Sequence, residues 1–179
     1  MSKILILSGS PRRDGNTDTL VKAFCRGASE HNEVEVISVS DIRVNPCLGC
    51  NLCFEREENT CFQTDDMQMV YNKLMETDIL VIASPVYFYG ISSQLKAIID
   101  RLHTPMRNRF KIKKMALLCV GAASLPELFD SILMQYKLVL DFFHLENLGT
   151  VLVRSVKDKN DIQNNELLNT AYQLGQSIV

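Results

Sequence analysis

The sequence predicts an α/β fold, a three-layer sandwich with a five-stranded parallel sheet and helices on both faces. Three observations predict it. Short apolar runs recur along the chain, and most are continuous rather than alternating, as in strands buried on both faces. Segments of helical period separate them, which implies right-handed crossovers between parallel strands. The length of 179 residues, with 46% hydrophobic and 22% charged residues, fits a single domain over 1–179 with a substantial core.

The elements follow in order. Ile4 to Leu7 form the first strand, stopped by Ser8-Gly9-Ser10-Pro11. From Asn16 the spacing turns helical, with Leu20, Val21, Phe24 and Ala28 on one side. Glu33 to Val39 alternate at first, like a second strand, and residues 41 to 64 show no sustained period. Asp65 or Asp66 can cap a helix running through Met75, with Met67, Val70 and Leu74 inward. Ile79 to Ala83 make the third strand, ended by Pro85. Ser92 or Ser93 starts a helix through Leu102, and Met115 to Val120 make the fourth strand. A long apolar helix is expected from about Pro126 to Phe143, with proline in its first turn. Leu148 to Val153 complete the sheet and Glu166 to Val179 form a closing helix. This size and count fit the flavodoxin-like strand order 2-1-3-4-5, in which ligands bind beyond the carboxyl ends of the strands. Loops 8–17, 84–91 and 121–125 converge there.

Charge and termini narrow the function classes. A net charge of −2 gives no electrostatic case for nucleic acid. The N-terminal apolar run is too short for a signal-peptide core or a membrane span, so a cytoplasmic chain without a membrane partner is expected. Thiols stay reduced there, which argues against a disulfide framework.

The first loop reads Ser8-Gly9-Ser10-Pro11-Arg12-Arg13-Asp14-Gly15-Asn16-Thr17, between a strand and a helix. The hydroxyls of Ser8, Ser10 and Thr17, the Asn16 amide and the N–H groups of the helix start suit one anion, helped by the helix dipole. Neither the triphosphate-binding lysine motif nor a dinucleotide G-x-G-x-x-G is present. A terminal monophosphate fits; a plain polar turn that caps the helix is the alternative. The second loop, Ser84-Pro85-Val86-Tyr87-Phe88-Tyr89-Gly90-Ile91, places three rings in a row, which neither strand nor helix packing wants. Such rings suit a planar heterocycle, and Gly90 permits close backbone approach. Inward packing of Phe88 with surface tyrosines is the bland alternative.

GSPRRDGNT followed by SPVYFYGISSQLKAIIDRL resembles the NAD(P)H-dependent FMN reductases of the flavodoxin-like superfamily. The resemblance implies that Ser8, Ser10, Arg12, Asn16 and Thr17 hold the FMN phosphate. It implies that Pro85, Val86, Tyr87, Phe88 and Gly90 lie along the isoalloxazine ring, and that Gly121 and Ala122 close over it. It also implies a homodimer, and an enzyme passing hydride from NAD(P)H through the flavin to a small-molecule acceptor: a quinone, flavin, nitro or azo compound, or metal ion. No side chain is assigned as catalytic acid or base.

Cys47, Cys50, Cys53 and Cys61 form a C-x2-C-x2-C-x7-C run in the unpatterned loop. Three readings compete. Zinc prefers two separated pairs and would mark a non-redox interaction domain. The compact triplet with a fourth thiol resembles the iron–sulfur flavoproteins, which implies a [4Fe–4S] cluster and an electron carrier. Free thiols beside the flavin are the third. The charged gap Phe54–Thr60 and the absence of an obvious C-terminal extension to shield a cluster favour the free thiols.

Overall fold

The computed structural model describes Met1–Val179 in full. The strands are β1 (Lys3–Ser8), β2 (Glu33–Ser38), β3 (Ile79–Pro85), β4 (Lys114–Val120) and β5 (Glu146–Val153). The helices are α1 (Asn16–Ala28), α2 (Leu52–Glu55), α3 (Met67–Leu74), α4 (Ser93–Arg101), α5 (Asp130–Phe143) and α6 (Leu167–Gln176). A 3-10 turn spans Pro105–Arg109. The five strands form one parallel sheet in the order β2-β1-β3-β4-β5, as the sequence predicts.

Alternate strand residues feed two separate cores, because successive side chains point to opposite faces. Leu5, Leu7, Leu80, Ile82, Met115 and Leu117 pack against α3, α4 and α5. Ile4, Ile6, Ile79, Val81, Ala116 and Leu118 pack against α1 and α6. Central strands buried on both faces explain the unbroken apolar runs. No helix is long and apolar enough to cross a membrane.

Several boundaries move for local reasons. The long helix starts at Asp130 rather than Pro126, and Pro126–Phe129 form a turn instead. Arg154 explains this: its Nε and Nη2 donate to the carbonyls of Leu125 and Pro126 at 3.1 and 2.8 Å, and its guanidinium lies 4.8 Å over the buried Phe129 ring. β5 begins at Glu146, two residues early, because the Glu146 N–H donates to the Lys113 carbonyl at 2.9 Å and its carboxylate pairs with Lys114 at 3.2 Å. α6 ends at Gln176, after which the Ile178 N–H tightens onto the Gly175 carbonyl at 3.2 Å and the Ile178 carbonyl accepts from Asn32 Nδ2 at 2.6 Å. Ser92 caps α4, accepting from the Leu95 N–H at 3.3 Å. At α3, the Asp65 carboxylate accepts from the Met67 N–H at 3.2 Å. α2 and the 3-10 turn are too short for a periodic signal, and the sequence gives no hint of either.

Candidate functional site

Four loops at the carboxyl edge of the sheet enclose a cleft of about 390 Å³. The loop after β1 contributes Ser10, Arg12, Arg13, Gly15, Asn16 and Thr17, and the loop after β3 contributes Pro85, Val86 and Tyr87. Gly121 and Ala122 follow β4. Val156, Lys157, Asp158 and Lys159, after β5, form a fourth wall. The sequence reading missed this wall. The alternating lysines there were its only signal.

The first loop is held by its own polar groups. Ser10 Oγ donates to the Arg12 carbonyl at 2.8 Å and accepts from the Arg12 N–H at 3.2 Å. Asn16 Nδ2 donates to the Asp158 carbonyl at 2.9 Å, and its Oδ1 accepts from the Ile162 N–H at 3.5 Å. These two side chains therefore brace the cleft walls rather than pointing free donors into it. Arg13 is paired with Asp41. Open to an anion are the start of α1, where Gly15 precedes the helix and no side chain caps the N–H groups, and the cations Arg12, Lys157 and Lys159 on the rim. Ser8 lies beneath the lining, 2% exposed, and its Oγ is buried without a partner.

The aromatic loop divides. Tyr87 lines the cleft, whereas Phe88 and Gly90 line a separate shallow pocket with Ser131 and Gln135. A tight turn causes the split: the Tyr87 and Gly90 N–H groups donate to each other's carbonyls at 2.9 and 3.1 Å. Phe88 and Tyr89 between them have φ of 46° and 64°, and Phe88 is 97% exposed. Ser131 Oγ donates to the Tyr89 carbonyl and ties the turn to α5.

This cleft fits a flavin mononucleotide. An uncapped helix N-terminus with three cations suits its phosphate. Gly121 keeps the wall thin: a Cβ there would stand 2.6 Å from Leu128 Cδ2 and 3.3 Å from Val86 Cγ2.

All six cysteines are free. Cys47 and Cys50 are exposed, Cys53 and Cys61 half-buried, and no three metal-binding side chains come close enough to hold an ion. The clustered thiols nevertheless sense one another. Burial pushes the Cys53 thiol up, and the charges of Cys61, Cys47 and Cys50 add to the effect. Four thiols on one segment are the kind of donor set a cubane cluster takes, and in this structure they do not converge on one point. Phe54, on α2, anchors the far end of the loop. Its ring lies 5.8 Å from that of His103, with the Arg107 guanidinium 5.9 Å over it. His103 in turn meets Phe142 at 5.5 Å.

The family model for NADPH-dependent FMN reductases matches residues 2–155. The chain belongs to this family. An iron–sulfur flavoprotein of Methanocaldococcus jannaschii is 40% identical over 124 residues, covering 68% of this chain and 63% of that protein. One of Methanosarcina thermophila is 35% identical over 122 residues, covering 68% and 61%. The chain thus spans a little under two thirds of the length of these relatives. Among solved structures, the NAD(P)H:quinone oxidoreductase from Methanothermobacter marburgensis aligns with a TM-score of 0.78 at 18% identity, over 98% of this chain and 96% of that one. An FMN-dependent NADH-azoreductase from Bacillus anthracis, in complex with FMN, aligns with a TM-score of 0.66 at 17% identity, over 97% and 96%. At these identities the structural likeness establishes the family's shared fold.

Proposed function

We propose that this chain is a single-domain FMN-dependent NAD(P)H oxidoreductase. The observation that carries the reading is the convergence, in one cleft, of the uncapped start of α1 with the Pro85–Tyr87 wall and the Gly121-Ala122 segment. FMN, when bound, would supply the chemistry, hydride uptake from NAD(P)H and electron transfer to a quinone, flavin, nitro or azo compound, or metal ion. The protein supplies position and charge. The N–H groups around Asn16 and Thr17, with Arg12, hold the phosphate. Ser8 and Ser10 support that loop, while Pro85, Val86 and Tyr87 flank the ring and Gly121 and Ala122 close the opposite wall. Phe88 and Gly90 act through the turn that presents Tyr87. Six disulfide-free cysteines suit a reducing cytoplasm. A homodimer fits the exposed apolar stripe Met134, Leu138 and Phe142 on α5, spaced at i, i+4 and i+8 on one helix face. The deciding experiment is titration of the purified chain with FMN, followed by NAD(P)H oxidation with a quinone or ferricyanide. Saturable quenching of flavin fluorescence and acceptor-dependent turnover are expected. A chain that takes up no FMN overturns the reading.

A second reading has its own support: the four-cysteine loop, together with relatives named as iron–sulfur flavoproteins at 40% and 35% identity. On it, Cys47, Cys50, Cys53 and Cys61 hold a [4Fe–4S] cluster and the protein carries electrons between flavin and cluster. Anaerobic reconstitution is expected to give about four irons per chain, with broad visible absorbance. Iron near zero leaves the thiols free and returns the chain to the first reading alone.

A further inference from the structure

The cysteine loop is closed at its base by a ladder of hydrogen bonds. The Arg43 N–H donates to Asp66 Oδ2 at 2.7 Å, and the Asp66 N–H returns to the Arg43 carbonyl at 3.1 Å. Further out, the Asn45 N–H donates to Asp65 Oδ2 at 2.8 Å, and Gln63 Nε2 reaches the Pro46 carbonyl at 3.2 Å. Cys47 leaves this neck on one strand of the loop and Cys61 returns toward it on the other.

Arg101, the last residue of α4, fills the neck. Its Nη1 donates to the Asp65 carboxylate and to the Asn45 carbonyl, the latter at 3.2 Å. The two side chains of the ion pair are 3% and 2% exposed. The Arg101 carbonyl accepts from Tyr71 Oη at 2.8 Å, so α3 fixes the end of α4 that carries the guanidinium. One side chain thus grips the chain just before the first cysteine and just after the last.

Two features go beyond what closing a neck requires. A buried ion pair is a costly clasp, and apolar side chains of similar volume close such a gap with less desolvation. Arg101 Nε is also buried without a partner, although buried donors are normally all engaged. A buried cation with a donor in reserve, at the neck of a loop that carries four thiols, suits a neighbour that becomes negative. Four thiolates around an iron–sulfur cluster form such a neighbour.

We propose that Arg101 is the positioning residue of the cysteine loop, clamping Asn45 and Asp65 so that the chain segments leading to Cys47 and from Cys61 are held together for one cluster, and balancing its negative charge. This rests on the iron–sulfur reading. The test compares wild type, Arg101→Met and Arg101→Lys after anaerobic reconstitution with iron and sulfide. It measures iron per chain against a chelator series, the reduction potential of the cluster, and FMN affinity as a check of folding at the separate cleft. Arg101→Met is expected to weaken cluster retention about 10- to 100-fold, as loss of outer-shell support does at metal sites. The potential of the residual cluster moves negative, Arg101→Lys restores the potential but only part of the retention, because lysine keeps the charge and loses the planar fork, and FMN binding stays unchanged. Unchanged retention and potential in Arg101→Met overturn the proposal, and so does lost retention with an unmoved potential, which marks a merely structural clasp. Should Arg101→Met fail to fold, as reported by lost FMN binding, the potential measured in Arg101→Lys decides: a wild-type value agrees with the charge role and a shifted one overturns it. A wild-type chain that takes up no iron overturns the cluster reading itself, a failure distinguished by its appearance before any substitution.

Discussion

Asp65 loses water on folding and still stays ionised. Burial opposes its charge, but the hydrogen bond from Arg101 and the N–H groups of Asn45 and Met67 outweigh that cost and hold the carboxyl below its usual range. The sign of the consequence follows directly. A carboxyl whose folded pKa lies below the unfolded value, 3.8 here, contributes stability that is full above that value and is lost as pH falls through the folded one. Thermal unfolding of the wild type is therefore expected to show a loss of stability below about pH 4 to which Asp65 contributes. Asp65→Asn is less stable near pH 7 by about 3 kcal/mol, because it leaves the Arg101 charge buried alone, and its curve is flatter in acid. Parallel curves for the two proteins contradict this account. At the same scale, the types of the binding residues were legible but not their partners. Ser10 and Asn16 read as anion ligands because of where they stand. Short polar side chains also bond nearby backbone readily, and here Ser10 takes the Arg12 peptide and Asn16 the loop after β5.

Among elements, the turn at Tyr87–Gly90 and the α1–α6 contact set opposite demands on side-chain size. The turn places two successive non-glycine residues in the left-handed region, a pairing that hairpin turns normally give to Asn-Gly. The double substitution Phe88→Asn and Tyr89→Gly is expected to relieve about 1 kcal/mol and raise Tm by about 2–4 °C, read by calorimetry. A lower Tm means that the exposed Phe88 ring stabilises the fold through a contact this turn geometry does not account for. The helix pair runs the other way. A Cβ at Gly27 would stand 2.0 Å from the Tyr172 carbonyl oxygen, and one at Gly175 would stand 2.3 Å from that of Phe24, so each helix presses backbone onto the other's glycine. Gly27→Ala is expected to cost about 3 kcal/mol, because the clash is with backbone that no rotamer change relieves. Denaturant unfolding measures it, and a cost below about 1 kcal/mol shows that α6 slides freely. Helix periods in the sequence predicted both helices, yet nothing in those periods marks which glycine faces a partner backbone. The same blindness explains the late start of α5, since Arg154 acts on Pro126 from the far side of β5.

For the molecule as a whole, strand order was legible because apolar continuity marks the central strands, and the carboxyl edge of such a sheet is where its loops meet. At that edge the cleft and the cysteine loop are separate groups of residues. The loops after β1, β3, β4 and β5 build the cleft, the loop after β2 carries the cysteines, and no cysteine lines the cleft. Beyond the bond from the Val39 N–H to the Ser8 carbonyl at 2.9 Å, which continues the β1–β2 ladder, the side-chain contact that joins the two loops is the Arg13–Asp41 pair, whose side chains are 73% and 51% exposed. Exposed pairs of this kind contribute little and are screened by salt. The sites are therefore expected to bind independently. Cys50→Ser combined with Cys53→Ser is expected to abolish iron uptake while leaving the Kd for FMN within about twofold of wild type, the limit for sites that share no partners. Fluorescence titration of the iron-free and reconstituted wild type should give the same agreement. A tenfold change in FMN affinity on either comparison requires a path stronger than an exposed ion pair. Arg13→Ala would then be expected to remove that change if the path runs through Asp41, and to leave it intact if it runs through the sheet.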